Sequence, residues 1–136
     1  MQINKCLLNY RQTNDSSSVK SKGKVFCVNK EWEEIFKTVK KDAVSYDKIK
    51  NILPIIQLNN YRWNYIRIDK KYKDDFLKNW ASEWNYLNKN EINFSKVPFN
   101  KKEKLESYII LNYSFLYPLI SNIYELKNKI KRFVYD

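Results

Sequence analysis

Tyr72, Phe76, Trp80, Trp84 and Leu87 recur at spacings of four, four, four and three residues, the period at which one face of an α-helix repeats. No strand can place these five side chains on one surface. The stripe predicts a helix over about 70–87 and commits the rest of the chain to covering a row of aromatic rings. Asn88 to Asn93 breaks the pattern. With 136 residues, 43% of them hydrophobic and 16% aromatic, the chain has the material for one core and the length of one domain. It needs no disulfide or metal to fold.

Other segments read less uniformly. A second helix is signalled from Asn29 as N-cap, with Glu31, Glu33 and Glu34 in its first turn, Trp32, Ile35, Phe36 and Val39 at helical spacing, and Lys37, Lys40 and Lys41 near its end. A shorter one runs from Ser45 through Ile49, Ile52 and Leu53, where Pro54 stops it. Ile55–Leu58 and Tyr61–Ile68 flank Asn59-Asn60, a pair that tolerates a tight hairpin turn. Ile3–Tyr10 and Lys24–Val28 read as two further short strands. Asn100 with Glu103 resembles a capping box and opens a helical last third, in which Pro118 ends one helix or begins the next. The expected fold is therefore α+β: a mostly helical single domain over 1–136, with a small antiparallel sheet containing a hairpin at about 55–68 and a C-terminal helix pair. Residues 11–24 carry almost no apolar side chain and read as a flexible basic loop or tether.

The chain lacks histidine altogether. The commonest proton shuttle at neutral pH, the commonest metal ligand and the usual partner of a Ser or Cys nucleophile go with it. Gly23 is the single glycine, which excludes the multi-glycine loops that cradle phosphates. The adjacent acids Asp74-Asp75 and Glu33-Glu34 diverge on a helix surface and do not converge on one ion. Glu125-Leu126-Lys127 matches a fragment of a metal-dependent nuclease signature, but in a helical register and with no preceding Pro-Asp element. No enzyme activity, cofactor or metal site is expected. Cys6 and Cys27 read as two small hydrophobic residues in a reducing compartment. No apolar signal segment follows Met1, so the expected location is intracellular, mitochondrial or otherwise organellar for an organelle-encoded chain and cytoplasmic for any other. The apolar run 108–124 is marginal for a membrane span because Asn112, Ser114, Ser121 and Asn122 interrupt it; membrane association is the less favoured reading.

The net charge is +11, and residues 1–28 and 94–136 hold +8 of it. Three clusters stand out: Lys20, Lys22 and Lys24; Lys101, Lys102 and Lys104; Lys127, Lys129, Lys131 and Arg132. Lysine outnumbers arginine by 22 to 4, a ratio partly due to the AT-rich codon bias of the whole chain, and one that suits phosphate contact better than base reading. Read as a strand, 61–68 places Tyr61, Trp63, Tyr65 and Arg67 on one face and Arg62 on the other. That aromatic face reads first as core and second as a platform for stacked bases. The sequence thus predicts a non-catalytic RNA- or nucleic-acid-binding protein, a small subunit of a ribonucleoprotein such as a ribosome. Its candidate contacts are the three clusters with Arg62, Trp63, Tyr65 and Arg67, and its partners are RNA or another polyanion together with other subunits. The rival reading is a protein-interaction subunit of a membrane or respiratory complex, or a mobile-element inhibitor.

Overall fold

The computed structural model describes residues 26–135, and these fold into six α-helices joined by short connections, two of which contain 3-10 turns. α1 is Cys27–Lys40, α2 Ala43–Ile49, α3 Leu53–Arg67, α4 Lys70–Asn90, α5 Lys101–Asn112 and α6 Tyr117–Tyr135; the 3-10 turns are Phe94–Lys96 and Ser114–Leu116. Among the described residues there is no strand, and the expected hairpin is replaced by helix.

The hairpin over 55–68 is corrected to helix α3, for two reasons. Pro54 sits in the first turn, where its fixed φ and missing N–H suit a helix start; it begins α3 and does not terminate α2, which ends at Ile49. Leu58, Tyr61, Tyr65 and Ile68 then follow at spacings of three, four and three, all buried. The strand-like alternation of Tyr61, Trp63 and Tyr65 overlies this helical period, and burial selects between them: Trp63 is 59% exposed. Asn59 and Asn60 are helical residues, and the Asn60 side-chain oxygen accepts a hydrogen bond from Trp32 Nε1 at 3.1 Å, tying α3 to α1.

Two smaller corrections concern α1. The strand expected over 24–28 gives way to helix at Cys27, and the expected N-cap, Asn29, lies inside α1, where its amide donates to Tyr61 Oη at 3.1 Å. The capping of α5 agrees with the sequence reading. Asn100 Oδ1 accepts from the Glu103 N–H at 2.8 Å and Glu103 Oε2 from the Asn100 N–H at 2.9 Å, so two otherwise orphaned donors are satisfied reciprocally.

The core is built on the α4 stripe. Phe76, Trp80 and Trp84 are fully buried. Trp80 meets Tyr61 edge-on at 5.4 Å, Trp84 at 5.5 Å and Tyr117 at 5.2 Å between ring centroids. Edge-to-face pairs of this kind contribute about 0.5–1.5 kcal/mol each beyond the area they bury. The connection after α4 folds back over the same stripe: Phe94 packs edge-on against Trp84 at 5.1 Å, and Ile92, Val97 and Phe99 are buried beside it. α3, α4 and α5 thereby form the body of the molecule, with α1 laid along α3 and α4.

Candidate functional site

Arg62 and Glu106 form the most buried ion pair. Arg62 Nε and Nη2 reach the two Glu106 oxygens at 3.1 and 2.9 Å, and Arg62 Nη1 donates to Asn59 Oδ1 at 3.0 Å. Glu106 has no exposed surface. Burial pushes its carboxyl above the usual range, and Arg62, its own hydrogen bonds and Lys102 draw it part of the way back. Tyr117 Oη donates to Glu106 at 3.4 Å, and its phenol is driven upward by burial first and by the Glu106 charge second. Arg62 thus clamps α3 to α5 through Glu106, with 24% of its side chain exposed. Tyr65 is buried against Phe76 and Tyr117. Its phenol is pushed up to about 12 by burial, with Asp74 and Glu125 adding to the shift.

Trp63 is exposed, and Arg67 is half-buried beside it. The Arg67 guanidinium lies 5.1 Å from the centroid of the Trp63 ring, one helical turn away on α3. Lys101, Lys102 and Lys104 are exposed on the first turn of α5, and Lys127, Lys129, Lys131 and Arg132 are exposed along α6. One lysine of the first cluster reaches α6. Lys102 Nζ sits 3.9 Å from the centroid of the Tyr124 ring, and Tyr124 is one turn before Lys127 on α6. Tyr124 is the residue the sequence reading misses; its spacing to Lys127 and Lys131 is the only signal in the sequence that it shares their face. Lys20, Lys22 and Lys24, with the 11–24 tether, the Ile3–Tyr10 strand and Cys6, lie outside the described residues.

A second polar centre lies on the other side of α3. Glu83 accepts from Tyr61 Oη at 2.7 Å and from Gln57 Nε2 at 2.9 Å, while Gln57 Oε1 accepts from Trp84 Nε1 at 2.8 Å. Burial raises the Glu83 carboxyl, and the bonds from Tyr61, Asn29 and Gln57 oppose that shift. Glu83 and Asn29 of this centre line a groove of about 660 Å³ between α1 and α4, together with Lys30, Glu33, Lys37 and Glu91. Its mixed charge does not suit a polyanion. Among the described residues no three His, Cys, Asp or Glu side chains are grouped to hold a metal ion, and no helix is long and apolar enough to cross a membrane. Glu125 and Lys127 of the nuclease-like fragment lie on α6 without a converging partner acid among the described residues.

No protein-family model, curated protein or solved structure matches the chain.

Proposed function

We propose that the chain is a non-catalytic basic subunit that docks on a polyanion, RNA foremost, within a ribonucleoprotein assembly, using the joined surface of α5 and α6. The observation that carries this reading is the seating of Lys102 on Tyr124, which joins the basic first turn of α5 to α6 one turn before Lys127. Ile110 anchors α5 to the core, and Tyr117 anchors the start of α6. Lysine at every position but Arg132 favours phosphate contact without base reading. Trp63 with Arg67 offers a separate exposed ring on which an unpaired base can stack. An RNA partner implies an intracellular site of action, mitochondrial or otherwise organellar for a chain encoded there.

The test is a salt series with a structured RNA. Binding with little sequence preference is expected, with an affinity that falls steeply as salt rises. Replacing Lys101, Lys102 and Lys104 by Ala removes up to about three counterion-releasing contacts and lowers the slope of log affinity against log salt by up to about 3. A flat salt response, or an unchanged slope in this variant and in its Lys127, Lys129 and Lys131 counterpart, overturns the reading.

A further inference from the structure

α6 spans nineteen residues but buries only Tyr117 and Ser121. Along its remaining length Leu119, Ile123, Leu126, Ile130 and Phe133 stand 53–89% exposed, at spacings of four, three, four and three. This is the heptad alternation of a coiled-coil seam, with Ile at one of the two apolar positions and Leu or Phe at the other. A helix that lies on a bilayer carries a broader apolar face with its charges gathered opposite. Here Lys127 directly follows Leu126 and Lys129 directly precedes Ile130, which puts a lysine on each margin of the seam, where flanking residues of a second helix would meet it.

The margins select the occupant. A second copy of this chain, itself of net charge +11, would bring the same marginal lysines to the seam. Residues 1–25 of the chain itself carry five Lys and Arg against one Asp and repel the same margins. We propose that the exposed seam of α6 is the docking site of an acidic amphipathic helix from a partner protein, one with aliphatic residues in heptad spacing and glutamates on its margins. Lys127 and Lys129 also belong to the proposed polyanion patch, so the peptide titrations are run without RNA and peptide binding is scored separately from RNA binding.

The full chain is titrated with two labelled synthetic helices that share an Ile and Leu seam and differ only in carrying Glu or Lys at the marginal positions. The Glu-margined peptide is expected to bind, and the Lys-margined peptide at least about tenfold more weakly. Ile130→Asp, on a residue 54% exposed, should abolish binding with the helical circular dichroism unchanged. Should that variant fail to fold, Lys127→Glu combined with Lys129→Glu serves instead and should reverse the preference between the peptides. Equal binding of both peptides, no binding of the Glu-margined one, or failure of the charge reversal overturns the proposal. So do two competing outcomes: tighter association with phosphatidylserine vesicles than with the peptide, and a dimer of the chain alone that Ile130→Asp dissolves.

Discussion

Replacing Arg62 by Met keeps the long aliphatic stem and removes only the guanidinium, leaving Glu106 as a carboxylate with no exposed surface and no cation bonded to it. Breaking a buried pair in this way costs about 3–5 kcal/mol. The Arg62 side chain retains 24% of its exposure, and Tyr117 Oη remains a donor at 3.4 Å, so the expected loss is at the lower end, about 3 kcal/mol. Out of a total stability of about 5–15 kcal/mol, that is a large fraction. The loss also has a pH signature. Glu106 is already raised above its ordinary value of 4.5, and removing Arg62 raises it further. The folded variant then holds a proton that the unfolded chain has released, so its stability falls as pH rises through the interval above 4.5. Urea denaturation at neutral and at mildly acidic pH should show the larger deficit at neutral pH. Adding Glu106→Leu should recover most of it, because an apolar pair of similar volume leaves no buried charge. If Arg62→Met loses less than about 0.5 kcal/mol while RNA affinity drops, the guanidinium acts outward and its assignment as an internal clamp is wrong.

The exposed position of Trp63 predicts that Trp63→Ala costs no more than about 1 kcal/mol, chiefly its contact with Arg67, whereas Trp80→Ala at the centre of the core costs about 3–5 kcal/mol; thermal denaturation of the two variants side by side checks the contrast, and equal losses refute the helical register of α3. Burial raises the Glu83 carboxyl, so the folded chain releases that proton at higher pH than the unfolded chain, and this group's contribution to stability is lost as pH rises through the interval above 4.5. Glu83→Gln should flatten that decline in a series of denaturation curves from acid to neutral pH, and an unchanged slope would show that another group sets it.

The α4 stripe and the α5 capping box are legible in the sequence because each is a local pattern with one physical solution. Rings every fourth residue need a helix, and an Asn with Glu three positions on satisfies the first donors of one. The 55–68 segment is not legible in the same way. Tyr61, Trp63 and Tyr65 satisfy a period of two, while Leu58, Tyr61, Tyr65 and Ile68 satisfy a period of about 3.6, and only packing against Phe76 and Trp80 decides which set is buried. The Arg62 clamp is hidden for a related reason. A cation's pairing depends on whether a carboxylate waits opposite it, and Glu106 lies 44 positions further along the chain. The basic clusters themselves are visible in sequence, but the seating of Lys102 on Tyr124 is a tertiary fact.

The seam and the Tyr124 side are adjoining faces of α6, with Lys127 between them. From Asn122 onward no side chain is buried, so this part of the helix gains little from the core and relies on its own backbone hydrogen bonds. Helices of that length are marginal in isolation, since most helical stability in proteins comes from packing an apolar face. Seating a partner helix on the seam would supply that packing while leaving the Tyr124 side, with Lys102 and Lys131, open to a polyanion. A partner bound at the seam would therefore stiffen the scaffold on which the basic patch is displayed, linking protein assembly to polyanion binding through the order of a single helix.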